Sequence, residues 1–211
     1  MAEYEYVSKK EYQPVKNDLI SLINMVQNEV RNYFTFRYDF IGSASRNMIT
    51  RAVNSNIGYD FDVNIRVNDD DERFSAEDIK NILMNGFNKY NRLFDYDYCE
   101  DSKRVITIKV KDRMNSKILH SCDFAIVYDC ENGRQQYIKF NKSQNSYSWE
   151  YQPEGFYQLS ERIEAIKDED LWQNVRDLYL IKKSNNTDPN KKSRSIFAET
   201  INEVYSKFFE N

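Results

Sequence analysis

Three aspartates and one Gly-Ser pair are the residues of this chain whose types and spacing could do chemistry. In Tyr59-Asp60-Phe61-Asp62-Val63-Asn64-Ile65-Arg66-Val67 the side chains alternate. Phe61, Val63, Ile65 and Val67 share one face, and Asp60, Asp62, Asn64 and Arg66 share the other, which predicts a half-buried strand. Its polar face carries two neighbouring carboxylates. Like charges that close repel and lose solvation, and a divalent cation relieves both costs. Asp123 lies mid-strand in His120-Ser121-Cys122-Asp123-Phe124-Ala125-Ile126-Val127, and a carboxylate flanked by apolar residues there needs a partner. If the two strands are neighbours, three carboxylates converge. Such a cluster suits two magnesium ions, about 4 Å apart, bridging aspartates and a nucleotide's phosphates, with manganese the alternative metal. Gly42-Ser43 leaves a strand and enters a helix, where a small backbone and a hydroxyl can approach phosphate oxygens.

The elements that must position these residues can be read from periodicity. Val15, Leu19, Leu22, Ile23, Val26, Val30 and Phe34 recur at helical spacing, which predicts a helix over Val15–Phe34. A strand follows at Thr35–Ile41, and Ala44–Val53 is expected to turn into a helix. The acid run Asn68–Glu72 lacks the glycine and distal glutamate of a calcium loop and reads as a solvated turn. Ser75-Ala76-Glu77-Asp78 reads as a capped helix start, with the helix running to about Arg92. Strands are expected at Arg104–Lys111, Ile118–Tyr128 and Gln135–Phe140, the last two joined by a hairpin signal at Glu131-Asn132-Gly133. Beyond Gly155 the pattern is helical, over Tyr157–Ile166, Asp170–Lys183 and Arg194–Phe209. The expected fold class is α+β, a mixed sheet flanked by helices with a helical carboxyl-terminal portion. Residues 1–154 form the expected core, including the amino-terminal helix, and residues 155–211 a helical portion packing on it.

Composition excludes several classes. A chain of 211 residues with only five Gly and three Pro supports a dense core rather than a linker-rich array. A net charge of −4 gives no bulk attraction for nucleic acid, so such contact needs a local patch. Cys99, Cys122 and Cys130 have no metal-binding or disulfide spacing and read as buried reduced thiols. The polar start gives no secretory signal and no apolar run reaches membrane-spanning length, so the expected location is cytoplasmic.

The ordered combination of strand, Gly-Ser, helix, Asp-x-Asp strand and later strand Asp resembles the nucleotidyltransferase superfamily related to DNA polymerase beta. Tyr59-Asp60-Phe61-Asp62-Val63 is similar to the branch that holds oligoadenylate synthetase and the cyclic dinucleotide synthases. Arg176-Asp177-Leu178-Tyr179-Leu180-Ile181-Lys182 resembles that branch's helix whose lysine reaches nucleotide phosphates. Ser195-Ile196-Phe197-Ala198-Glu199 resembles the start of its next helix. The resemblance spans roughly residue 36 to the end. It implies that Asp60, Asp62 and Asp123 are catalytic and bind metal, and that Gly42, Ser43, Arg46, Lys182 and Ser195 bind the nucleotide. The implied reaction moves a nucleoside monophosphate from a nucleoside triphosphate to an acceptor hydroxyl, releasing pyrophosphate. The alternative is a catalytically degenerate nucleotide-binding or sensing protein of the same fold. Acceptors left open are a nucleotide, RNA, protein or small molecule, with an activator or partner protein also open. The chain departs from the usual motif: Arg46 is followed by Asn47 and Met48, and the connection to Asp60 is longer.

Other residues have plainer readings. His120 and Asp123 face opposite sides of a regular strand, so His120 reads as packed or surface histidine rather than a catalytic partner. Trp149, Tyr147 and Tyr151 could stack on a base, but cross-strand packing in a hairpin is the favoured reading. Lys182, Lys183, Lys191, Lys192 and Arg194 form a basic cluster that reads as a solvated face, with RNA contact as the alternative.

Overall fold

In a computed structural model of the chain, residues 2–69, 71–130, 133–153 and 157–210 are described. The order is β1 (Tyr4–Tyr6), α1 (Lys9–Val30), β2 (Thr35–Ile41), α2 (Gly42–Ser45), β3 (Thr50–Ala52), β4 (Ile57–Asn68), α3 (Ala76–Tyr90), β5 (Glu100–Asp101), β6 (Ile106–Asp112), β7 (Lys117–Asp129), β8 (Gln135–Asn141), β9 (Ser146–Tyr151), α4 (Tyr157–Asp168), α5 (Trp172–Asn185) and α6 (Ser193–Phe209). The fold is α+β. It divides into two compact units, one of Val7–Ile49 and Ser55–Gln152, the other of Met1–Tyr6, Thr50–Asn54 and Pro153–Asn211.

The larger unit is a mixed sheet in the order β2-β4-β7-β6-β5, with β8 on the end of β7 and β9 on β8. β4 pairs antiparallel with β2 and parallel with β7. A parallel neighbour requires a long crossover, and α3 lies within the one joining β4 to β7. Phe61, Val63 and Ile65 of β4, Ile106 and Ile108 of β6, and Phe124 and Ile126 of β7 are buried with Leu19, Leu22, Ile23 and Val26 of α1 and Ile79, Leu83 and Phe87 of α3. The Phe87 ring stacks on Phe124 with centroids 4.3 Å apart. One face of the sheet is therefore core, and the alternation seen in β4 follows from it. At the start of β4 the β7 backbone comes so close that a Cβ on Gly58 would lie 1.9 Å from the Leu119 carbonyl oxygen, so only glycine fits there.

α1 begins six residues earlier than periodicity suggests, because Ser8 caps it by accepting a hydrogen bond from the Glu11 amide and the helix carries Pro14 inside it. α3 begins with a reciprocal capping box between Ser75 and Asp78. The helix expected over Ala44–Val53 is instead the single turn α2 followed by β3. Asn47 adopts φ 55 and the Met48 amide donates to the Ser43 carbonyl at 2.9 Å, a left-handed helix stop. Thr50, Arg51 and Ala52 then pair with Tyr6, Glu5 and Tyr4. Asp69 is not solvated either. It is 7% exposed, accepts a hydrogen bond from the Phe74 amide at 2.9 Å, and has the Arg73 guanidinium 3.7 Å away. Asp70, Glu131, Asn132 and Gly155 lie outside the described residues. β7 and β8 pair antiparallel as the turn signal suggests. In the next hairpin Ile138 faces Trp149 and Phe140 faces Tyr147, whose rings stack at 4.5 Å, so these aromatics pack across strands.

The second unit packs α6 against α4 and α5 around Ile166, Val175, Tyr179, Ile196, Phe197, Ile201 and Val204. β1 and β3 form its two-stranded sheet. The Tyr6 hydroxyl donates to the Arg176 carbonyl at 2.8 Å, and the Lys183 ammonium donates to the Thr50 hydroxyl at 2.6 Å. Among the described residues no helix is long and apolar enough to cross a membrane.

Candidate active site

The face of the sheet opposite α1 and α3 carries rows of polar residues set by strand register. One row runs Ile41, Asp62, Asp123, Thr107, Glu100, through β2, β4, β7, β6 and β5 in turn. The row beside it runs Asp60, Ser121, Lys109. Register-paired residues of adjacent strands point to the same side, so Asp62 and Asp123 stand next to each other and Asp60 stands two residues along the same face. The sheet thus joins side chains far apart in sequence.

Electrostatics follow from this crowding. The Asp62 carboxyl is pushed up to about 7, chiefly by burial, then by the charges of Asp60 and Asp123, with Arg46 opposing. Asp123 is also raised by burial, opposed by a hydrogen bond from Thr107, and raised further by Asp60. Thr107 Oγ1 donates to Asp123 Oδ1 at 2.6 Å. Lys109 forms an ion pair with Glu100 on the same face. Both aspartates resist ionisation chiefly because they are buried, and the negative charge of Asp60 on the same face adds to it.

Gly42 closes the site from the β2 side. It has φ +62, and a Cβ built on it would lie 2.6 Å from Asp62 Oδ2. Glycine is needed twice over, for the left-handed backbone and for the approach to the carboxylate. Ser43 follows in α2, which spans four residues and so contributes backbone amides and a hydroxyl rather than the field of a long helix. Arg46, at the end of that turn, is near enough to lower the Asp62 pKa.

Gly42, Ser43, Arg46, Asp60, Asp62 and Asp123 all belong to the larger unit. Lys182 and Ser195 belong to the other. There Lys182 is paired with Glu203 at 2.6 Å, and Ser195 is exposed in the first turn of α6. Lys191 of the basic cluster is likewise paired, with Glu199 at 2.7 Å. His120 points to the core side, stacked on Tyr59 at 5.8 Å and 3.3 Å from the Tyr96 hydroxyl, with its pKa lowered to about 4 by burial. It is a packed neutral histidine. Sequence reasoning missed Thr107 and Lys109 as members of the site, although their alternation in β6 placed them on its polar side.

Among the described residues no three Asp, Glu, His or Cys side chains are already gathered as a metal cage. Backbone register nonetheless sets three carboxylates together, and hard oxygen donors of this kind suit magnesium or manganese. The upward pull on Asp62 and Asp123 is a burden that a divalent cation removes. The donor atoms are of the chemistry that such an ion would take.

No protein-family profile and no curated protein sequence matches this chain. Solved structures do match it. The Vibrio cholerae DncV structure with 3'-deoxy ATP is 13% identical, with TM-score 0.56, over 95% of this chain and 53% of that one. The STING-associated CdnE c-di-GMP synthase from Capnocytophaga granulosa is 16% identical, with TM-score 0.57, over 94% of this chain and 61% of that one. The Bradyrhizobium diazoefficiens CD-NTase CdnG in complex with GTP is 8% identical, with TM-score 0.60, over 96% and 67%. The chain spans about half the length of the DncV chains it matches. The likeness is one of fold: this chain shares the fold of these DncV, CdnE and CdnG structures.

Proposed function

We propose that this chain is a nucleotidyltransferase dependent on magnesium or manganese, which moves a nucleoside monophosphate from a nucleoside triphosphate to an acceptor hydroxyl. The observation that carries this reading is the pairing of Asp62 with Asp123 across adjacent parallel strands, with Asp60 on the same face and the Gly42 turn against the Asp62 carboxylate. Nucleotides bound to structures of the same fold support a triphosphate as substrate.

In this reading Asp60, Asp62 and Asp123 would hold a divalent cation, which when bound would supply neutralising charge for the triphosphate and a lower pKa for the acceptor hydroxyl. The chain's own residues bind and orient. The Gly42 backbone, without a side chain, admits a phosphate beside Asp62, and the Ser43 hydroxyl donates to a phosphate oxygen. Arg46 adds positive charge on the same side. Lys182 and Ser195 are assigned to the phosphates as well, which requires Lys182 to exchange Glu203 for the nucleotide. The acceptor oxygen bonds to the alpha phosphorus, the bond to pyrophosphate breaks, and the acceptor's proton is released. The acceptor is a nucleotide, RNA, protein or small molecule, an activator protein is open, and the cytoplasm is the proposed location.

A second reading has one observation in its favour. Lys182 is neutralised by Glu203, as suits a protein that binds a nucleotide without turnover. Pyrophosphate release from each of the four triphosphates with magnesium or manganese separates the two. Release abolished by Asp62→Asn and by Asp123→Asn is expected. Nucleotide binding with no release, alone and with cell extract added, refutes the transferase.

A further inference from the structure

The Asp123 side chain is held from the side as well as from its own strand. Thr107 stands opposite it on the antiparallel neighbour β6, is 8% exposed, and gives its hydroxyl hydrogen to Asp123 Oδ1 at 2.6 Å. Its neighbours Ile106 and Ile108 are fully buried on the other face, so the β6 backbone cannot shift without disturbing the core. A β-branched residue on a strand has a restricted χ1, and the donor is therefore held in place. A bond this short to a carboxylate is charge-assisted when Asp123 is ionised. It engages Oδ1 and leaves Oδ2 outside this bond. Residues that hydrogen-bond metal-ligating carboxylates orient them and tune metal affinity.

We propose that Thr107 is a positioning residue, fixing Asp123 so that a divalent cation is bound through Oδ2. This rests on the reading of Asp123 as a metal-binding residue given above. Thr107 touches neither substrate nor metal in this account. Its role is to spare the site the cost of ordering Asp123 when the ion arrives.

The test is manganese binding to the whole, nucleotide-free chain, followed by electron paramagnetic resonance. Wild type, Asp123→Asn, Thr107→Val and Thr107→Ser are compared, with melting temperature recorded for each. Valine keeps the shape and β propensity of threonine without the hydroxyl, and serine keeps the hydroxyl. Expected results are manganese binding by wild type, its loss in Asp123→Asn, an affinity at least about tenfold weaker in Thr107→Val, and near wild-type affinity in Thr107→Ser. Should Thr107→Val fail to fold, Thr107→Ala replaces it against the same serine control. Wild-type affinity in the valine or alanine variant, while Asp123→Asn loses binding, overturns the role of Thr107 alone. Weakening in the serine variant equal to that in valine also overturns it, since packing rather than the hydroxyl would be responsible. If wild type binds no manganese, the metal site and this inference fall together.

Discussion

Replacing Asp62 by Asn removes a charge that the folded chain holds against burial and two neighbouring carboxylates. The carboxyl is pushed from 3.8 up to about 7 in the folded chain and takes its ordinary value when unfolded. Between those values the folded state holds the extra proton. The contribution is therefore most favourable below about pH 4, declines as pH rises, and levels off above about pH 7. Roughly three pH units at about 1.36 kcal/mol each give an upper bound of about 4 kcal/mol. Asp62 keeps partial access to solvent, and screening brings the working figure to about 2 kcal/mol. At about 2–4 °C per kcal/mol, metal-free Asp62→Asn should melt roughly 4–8 °C above wild type at about pH 8 and level with it near pH 4. Calorimetric melts in chelator across that range read this directly. Manganese should then raise the wild-type melt at pH 8 and leave the Asn variant unmoved. An Asn variant that melts at or below wild type at pH 8, or a gap that ignores pH, refutes the account of a charge-strained site.

Two further changes probe the frame around the carboxylates. Gly42→Ala places a left-handed alanine, at about 1–2 kcal/mol, and a Cβ 2.6 Å from Asp62 Oδ2; pyrophosphate release should fall by at least about tenfold, and an undiminished rate would show that the turn is not part of the site. Lys80 is a buried cation of α3, 2.6 Å from Asp101 Oδ1 and donating to the Ser102 carbonyl at 2.9 Å. Lys80→Met keeps the stem but leaves Asp101 without its cation, at about 3 kcal/mol; a denaturant midpoint equal to wild type would contradict the buried pair.

Parts of the fold and site were legible in the sequence because they depend on neighbours in the chain. The alternation from Tyr59 to Val67 needs only one buried face, and Ser75 with Asp78 needs only one helix end. The adjacency of Asp62 and Asp123 needs a parallel pairing across a crossover, which periodicity does not encode; the family resemblance stood in for it. β1, β3 and β5 are two or three residues long, too short to show a period. The stop after α2 turns on Asn47 entering the left-handed region, a choice that Ala44 and Met48 do not reveal. Asp69 looked solvated because an acid run hides which member folds inward. Thr107 was visible on the polar side of β6, but its bond to Asp123 belongs to register alone.

The parallel seam between β4 and β7 has a consequence for how the chain acquires its chemistry. A nascent chain that ends before β7 has half a site and nothing to complete it. When β7 docks, a slip of one position would send Asp123 into the oily side and raise Cys122 in its place. Length can therefore vary in the excursion between these strands, whereas a one-residue shift of β7 that turned Asp123 inward would turn Phe124 and Ile126 out of the core with it, so the site and the core stand or fall together.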